Sequence, residues 1–566
     1  MSGEDLETAP QGTKYPQTGS PLQAAQPQRE TAAQAARAES ASQQIARATG
    51  VVMFAFFLSS LVGVAQQMVI TDAFGTSAAL DSFNAANRVT ELLFNLVAGG
   101  ALGSAFIPMF TGFLTRDDKR GAWRLASGVL NVVSLILVVV SVLTWIFAPW
   151  LVRNGLYALT ADSNIGQLEV TVRLLRIMLP TVVIFGISGL VMGMLNAHRS
   201  FLIPALAPAM YSLGIILGTV ALPKSWGVDR LVYGVLLGAS GHLLLQLPSL
   251  FRLPERSYQV TAGLKDKAVR QVLRLMLPRL IGAGVVQLNF VANTIIALSL
   301  GEGSASAVAL AFTLMMMPQR AIAQSAGIAS LPTLSAQAEL GEYAQMRRTI
   351  AKILRGIILL ALPASVGLIL LRVPLVRVLY ERGQFDAEST RMVAWALLWY
   401  SAGLLGHCLV EVLSRAFYAL HDTRTPVIIG IGAMSLNIAL SFLLAAWFRG
   451  LGWMPHGGLA LANSAATGLE SLLLLWLLAK RLKGLEGRDI LRGTNSALVG
   501  SALMGAALLA WNSLLPQLNN LLFLLGGMGI GVLVYAFALV LMKVPELASV
   551  LGALRQRLNA RKQRPA

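Results

Sequence analysis

Cysteine occurs once in the 566 residues, as Cys408 within an apolar segment, which excludes a disulfide framework and any cysteine-rich metal site. Its thiol reads as a small core group. The five histidines, at 198, 242, 407, 421 and 456, show no ligand spacing along a single helix. A phosphate loop, an HExxH motif, a nucleophile elbow and a dinucleotide fingerprint are all missing. No segment between apolar runs is long enough to fold an ATPase, so a catalytic role is not expected. The energy for any work must come from a gradient, a membrane potential or the substrate's own concentration difference. Charge is scarce as well. Only 13% of residues are charged against 55% hydrophobic, and the mean hydropathy is +0.65. A soluble chain has no use for that much apolar surface.

What is present instead is a series of apolar runs long enough to cross a bilayer, about fourteen of them. They fall near 50–71, 86–114, 125–152, 168–196, 202–222, 230–251, 273–300, 306–335, 353–375, 391–419, 426–448, 457–480, 494–512 and 519–542. The expected fold is therefore an all-α integral membrane protein. The formal charge of +18 sits mostly in short loops, where topology explains it better than nucleic acid does. With the N-terminus inside, cytoplasmic loops and the C-terminal tail hold roughly 28 Lys/Arg and the opposite loops about 7. Both termini are thus expected in the cytoplasm. Residues 1–46 are polar and lack the apolar core and cleavage site of a secretory signal, so they read as a disordered cytoplasmic tail. Residues 544–566 place Leu547, Val550, Leu551, Leu554 and Leu558 at helical spacing beside Arg555, Arg557, Arg561 and Lys562. That pattern fits a basic amphipathic helix on anionic membrane lipids, or a solvated tail.

The connections Asn196-Ala-His-Arg-Ser-Phe-Leu-Ile-Pro204 and Ala419-Leu-His-Asp-Thr-Arg-Thr-Pro426 each place His, Arg and Pro between two spans, with Pro204 and Pro426 222 residues apart. A similar offset relates Ile107-Pro108 to Leu331-Pro332. Two matches at nearly the same spacing, 222 and 224 residues, indicate a duplication, with shared turn chemistry as the alternative. A six-span repeat keeps its orientation, so the lobes, 47–252 and 273–482, are expected about a pseudo-two-fold axis along the membrane normal. Residues 253–272 would link them, and 483–543 would add two further spans. Rocking such lobes exposes a central cavity alternately to each side.

Ionisable residues inside spans are costly and mark function. Gln66, Gln67 and Asp81 flank the junction of the first two spans, while Asn84, Asn87, Arg88, Glu91 and Asn95 fall on one helical face as a polar stripe. Arg88 and Glu91 are also spaced to pair with each other. Asn289 and Asn293 share a face, and Glu411 sits four residues before Arg415. Arg320 has no acid nearby in sequence, which makes it the leading contact for an anionic substrate, against snorkelling or an interhelical pair. Glu470 is isolated too and reads as a proton or cation site, or as a headgroup-exposed residue. Several Gly-x-x-x-Gly pairs allow close helix packing.

The chain resembles the MurJ (MviN) family of lipid II flippases, within the superfamily that includes polysaccharide flippases and multidrug exporters. The resemblance rests on Phe74-Gly-Thr-Ser-Ala-Ala-Leu-Asp-Ser-Phe83, Ala98-Gly-Gly-Ala-Leu-Gly-Ser-Ala-Phe-Ile-Pro108, Leu195-Asn-Ala through Pro204-Ala-Leu-Ala-Pro208, Leu331-Pro-Thr-Leu-Ser335, Leu379-Tyr-Glu-Arg-Gly-Gln-Phe385 and Phe417-Tyr-Ala-Leu-His-Asp-Thr-Arg-Thr-Pro426. It implies a two-lobed fold with a central cationic cavity and a hydrophobic groove at the last two helices for a polyprenyl tail. It also implies lipid II, the undecaprenyl-pyrophosphate-linked peptidoglycan precursor, as cargo, flipped to the outer leaflet of the bacterial cytoplasmic membrane. Membrane potential, and in some members sodium, is the implied driving force; a sodium site would fall near Asn293. Cell-wall synthesis proteins are possible partners, and the protein is expected to act as a monomer without a cofactor.

The chain departs from the family at the cavity. Gln66-Gln67 stand where an Arg-Asp pair is usual, Phe94-Asn95 and Gly99 where an Arg-Arg pair and a Glu are usual, and Thr313 where another Arg is usual. Asp81 and Arg88 match. Arg320, beyond Thr313, and Arg88 are the expected substitutes. Two other readings stay open: an exporter of a different lipid-linked oligosaccharide or amphiphile, and a non-transport membrane scaffold.

Overall fold

The computed structural model describes residues 55, 58–97, 101–160, 165–198, 200–253, 256–261, 263, 265–515 and 519–544. The tail expected over 1–46 and nearly all of the basic one over 544–566 lie outside them. Each apolar run expected to span coincides with a helix or a broken pair. In the first half these are α1 (59–74), α2 (Ala78–Val97), α3 (Ala101–Thr115), α4 (Lys119–Leu151), α5 (Ile165–Ala197), α6 (Leu202–Ala221), α7 (Asp229–Leu244) and the short α8 (Leu247–Phe251). In the second half they are α9 (Lys267–Leu298), α10 (Ser304–Gln319), α11 (Ser325–Glu339), α12 (Tyr343–Tyr380), α13 (Ala387–Ala402), α14 (Leu404–Ala419), α15 (Arg424–Gly450) and α16 (His456–Arg481). Two more, α17 (Gly487–Leu514) and α18 (Asn520–Leu541), follow.

Among the described residues, 10 helices are long and apolar enough to cross a membrane, or 11 if α13 and α14, bent by 47° at Gly403, make one span. Two shorter apolar helical stretches, Ala105–Thr115 in α3 and Val286–Leu298 in α9, add to these among the described residues. The helix α2 starts at Ala78, so Asp81 lies on the helix itself. One further run expected to be continuous is interrupted. The eighth opens into a π-turn, Arg320–Gln324, between α10 and α11. Pro318 withholds an amide hydrogen just before that turn, which is the usual cause of such a break.

Polar side chains cap the starts of four helices. Asp118, Asp266, Asp386 and Asn519 accept N–H bonds from the first turns of α4, α9, α13 and α18 at 2.8, 2.8, 2.8 and 3.0 Å. The Asp386 carboxyl lies below the usual carboxylate range, first because of the Ser389 N–H.

Two apolar cores hold most of the first half and one the second. Phe106, Phe110, Leu125 and Leu195 centre one end of the first half, while Tyr380, Phe385, Val412 and Phe417 sit in the core of α10 to α16. The long α9 packs on α2 and α3 as well as on α15, so it bridges the two halves. The last two helices dock on α12, where the Tyr535 hydroxyl donates to Leu359 O at 2.7 Å.

The tightest helix pair is α6 with α7, where Gly214 and Gly218 face Gly238 and Gly234. A Cβ on Gly238 would lie 2.4 Å from Tyr211 O, whereas one on Gly189 would meet nothing within 4 Å. Gly238→Ala is therefore expected to destabilise the protein by about 1–3 kcal/mol through overpacking, and Gly189→Ala to leave it unchanged. Thermal melting in detergent checks both.

Candidate functional site

The helix α10 begins at Gly303, in the left-handed conformation (φ 76°) and with no side-chain cap of its own. The first N–H groups of a helix need acceptors, and here the acceptor comes from the other half of the chain. Asp81, 1% exposed, takes the Gly303 N–H on Oδ2 at 2.7 Å and the Ser306 N–H on Oδ1 at 2.7 Å. The Ser306 hydroxyl donates to Oδ1 at 2.6 Å and accepts from Asn84 Nδ2 at 3.1 Å. A carboxylate on a helix N-terminus also meets the positive end of the helix dipole. Glycine is required at 303, since a Cβ there would lie 2.4 Å from Thr76 O.

Asp81 and Gly303, like Asn84 and Ser306, are 222 residues apart, the spacing of Pro204 and Pro426. Only residues beside a two-fold axis touch their own symmetry mates, so the axis relating the duplicated halves passes between α2 and α10. More contacts between the halves gather at the same end. Ala78 N–H donates to Glu302 Oε1 at 3.0 Å, Thr76 Oγ1 to Ser389 Oγ at 2.9 Å and Gln384 N–H to Asp72 O at 2.8 Å. The end of the molecule holding loops 75–77, 299–303 and 381–386 is thus sealed.

Below this junction the polar stripe turns inward. Arg88 Nη1 donates to Glu91 Oε2 at 2.7 Å, Asn87 Nδ2 donates to Glu91 Oε1 at 2.9 Å, and the Arg88 guanidinium lies 5.1 Å from the Phe290 ring centroid. Arg88 therefore touches α9 while its charge is balanced within α2. Rings continue from Phe290 to Phe312, and from Phe312 to Tyr400 and His407. Gln66, Gln67 and Asn95 are half-buried, and no hydrogen bond reaches their side chains among the described residues.

On the second half, Glu411 pairs with Arg415, which also donates to Gln324 O at 3.2 Å and so ties α14 to the π-turn. Arg320, in that turn, is exposed and has no acidic partner among the described residues. Thr313 is exposed one face earlier and bonds only its own helix at Ala309 O. Between Thr313 and the π-turn, Leu314, Met317 and Pro318 line an almost wholly apolar cavity of about 770 Å³. Its other walls come from Leu359 and Pro363 of α12, Met504 and Leu508 of α17, and Gly527, Gly531 and Tyr535 of α18.

The structure thus divides the residues singled out in the sequence. Asp81 and Asn84 spend their hydrogen-bonding groups on the junction rather than on a cavity wall. Arg88, Asn87 and Glu91 form one cluster, Glu411 reaches the π-turn only through Arg415, Arg320 stands apart from it, and Gln66, Gln67, Asn95 and Thr313 join neither by a hydrogen bond among the described residues. Sequence reasoning missed Glu302, Gly303 and Ser306, although adding the repeat offset to Asp81 and Asn84 points to the last two.

The sodium site expected near Asn293 does not fit. Asn293 Nδ2 donates to Asn289 Oδ1 at 3.2 Å and to Asn437 Oδ1 at 2.9 Å, and Ser441 Oγ donates to Asn293 Oδ1 at 3.5 Å. The amide oxygens are turned toward N–H and O–H donors, and the set has no carboxylate to balance a cation. Among the described residues no group of three or more His, Cys, Asp or Glu is placed to hold a metal.

The family model for the lipid II flippase MurJ matches residues 70–529. The chain belongs to the MurJ lipid II flippase family, whose members are membrane transporters and not enzymes. It is 32% identical to the lipid II flippase MurJ of Burkholderia cenocepacia over 80% of this chain and 87% of the relative. It is 29% identical to the probable lipid II flippase MurJ of Rhizobium tropici over 90% and 95%. Among solved structures it is similar to a lipid II flippase MurJ in an inward closed conformation, with TM-score 0.72 and 25% identity over 87% of this chain and 98% of that one. An inward-facing multidrug transporter of the MATE family shares the fold, with TM-score 0.63 and 16% identity over 76% and 98%.

Replacing Asp81 by Asn is expected to lower stability by about 1–2 kcal/mol, the worth of a helix cap. Ser306→Ala keeps two of the three bonds to Asp81, so its loss is smaller. Thermal melting of the two variants, side by side, reads the order.

Proposed function

We propose that the protein carries lipid II across the bacterial cytoplasmic membrane, from the inner to the outer leaflet, by alternating access. The observation that carries this reading is a juxtaposition along one span: Pro318 lines an apolar cavity big enough for part of a polyprenyl chain, and two residues on stands Arg320, exposed and without an acidic partner among the described residues. A lipid-linked pyrophosphate has those two parts, an apolar tail and a compact anion. A dianionic headgroup entering a low-dielectric space needs compensating charge, and guanidinium supplies it with bidentate hydrogen bonds.

The orientation supports the direction. With both termini cytoplasmic, the sealed end faces outward, and the headgroup would enter from the cytoplasmic side, between the ends of α3 and α11. Arg320 then meets the pyrophosphate and the groove between α10, α12, α17 and α18 takes the tail. Arg88, held by Glu91 against Phe290, lines the path on the other lobe, with Gln66, Gln67, Asn87, Asn95 and Thr313 as neutral hydrogen-bonding groups for the sugar and peptide. Separation of Asp81 from α10 would open the outer end. The basic cytoplasmic loops suit anionic membrane lipids, and the transport unit is a monomer.

Complementation tests the reading. In a bacterium depleted of its own lipid II flippase, this chain is expected to restore growth and outer-leaflet lipid II; failure despite normal membrane expression counts against lipid II as the cargo. Arg320→Glu is expected to cut flipping by about tenfold or more, since a hydrogen bond to a charged group is worth about 1.5–3 kcal/mol. Accessibility of lipid II at the cell surface measures it.

A further inference from the structure

Glu470 lies in the middle of α16 and takes no part in the junction, the Arg88 cluster or the groove. Ala466 and Leu474, one turn to either side, are 2% and 0% exposed, so this face of α16 is turned into the protein. The lipid-facing side is marked instead by Leu469, Leu472, Leu473 and Trp476, all well exposed. Glu470 Oε1 points at α15, where a Cβ built on Gly430 would sit 3.4 Å from it. The absent side chain at Gly430 makes the niche that holds the carboxyl.

No donor enters that niche. Among the described residues Glu470 accepts no hydrogen bond and forms no ion pair. Its neighbours are accounted for helix by helix. On α15 the ionisable residues, Arg424 and Arg449, stand at the two ends. On α14, Tyr418 lies within electrostatic reach of Glu470, and Arg415 is already committed to Glu411 and Gln324 O. His407 belongs to Asn463, two turns earlier on α16, at 2.9 Å. On α13 only Glu388, Arg391 and Tyr400 ionise, toward its ends; α10 has no ionisable residue, and those of α9, Lys267 to Arg279, lie in its first half.

An ionised carboxylate inside a membrane with no partner costs several kcal/mol, and truncating or withholding its partner is the expensive case. A metal cation does not resolve the problem, because a cation needs several oxygen ligands and the niche offers one carboxyl. A proton needs only that one. We propose that Glu470 is a proton-binding site of the second lobe, carrying a proton in the sealed state described here. Because α16 packs against both α15 and α14, a motion that separates α16 from Gly430 opens the niche further to water and releases the proton. Proton exchange is thereby linked to the lobe's conformation. The inference stands on this niche and is independent of the cargo.

Infrared difference spectra of the full-length protein in phosphatidylethanolamine/phosphatidylglycerol nanodiscs test it. At pH 6, above the ordinary carboxylate range of about 4.3, wild type minus Glu470→Gln is expected to show the carbonyl stretch of a protonated acid. The band should be lost on raising the pH, be kept in Glu411→Gln and shift in Glu470→Asp. Glu470→Gln resembles the neutral acid, so its melting temperature at pH 6 should match wild type. A difference spectrum showing only carboxylate stretches at pH 6, or a marked fall in melting temperature for Glu470→Gln, would overturn the proposal.

Discussion

The arrangement depends on a helix that cannot close its own end. The first turn of α10 starts at a left-handed glycine without a capping side chain, and its free N–H groups are met by Asp81 of the opposite lobe. A cap supplied within the same loop would be indifferent to lobe motion. One supplied across the pseudo-two-fold axis couples helix stability to lobe closure, because separating the lobes strips α10 of its acceptor. The energy involved, about 1–2 kcal/mol for a cap, is large enough to bias an equilibrium between access states and small enough to be reversed.

The sealed junction gives meaning to the charge distribution below it. Arg88 is neutralised by Glu91, and Arg415 by Glu411, whereas Arg320, exposed two residues after groove-lining Pro318, has no acidic partner among the described residues. The groove is framed where α18 packs through small residues, Gly527 against Leu371 of α12 and Gly531 against Met504 and Leu508 of α17, leaving an apolar seam toward α10. In the proposed function the tail and headgroup sites come from consecutive segments of one span, the apolar face of α10 and the π-turn that follows Pro318.

Much of this was legible in the sequence. Apolar run lengths locate the helices, and the offset between Pro204 and Pro426 foretells the pseudo-two-fold axis. The Arg88–Glu91 and Glu411–Arg415 pairs follow from helical spacing alone. Other features depend on tertiary geometry. Asp81 and Asn84 look like cavity residues because a one-dimensional pattern cannot distinguish a polar face turned to a cavity from one turned to another helix end. The π-turn, the Gly403 bend and the amide cluster around Asn293 need the packing partner to be known. The amide cluster shows why: Asn293 looks like a ligand until Asn437, 144 residues later, is seen to occupy it.

The most direct measurement of the lobe coupling is the distance between spin labels at positions 117 and 343, exposed sites in the loop after α3 and at the start of α12, at the end opposite the junction. In nanodiscs the wild-type protein should give one dominant long distance, and Asp81→Ala should add a shorter population as the outer end opens and the inner end closes. An unchanged distribution in a variant that remains folded would contradict the role given to Asp81.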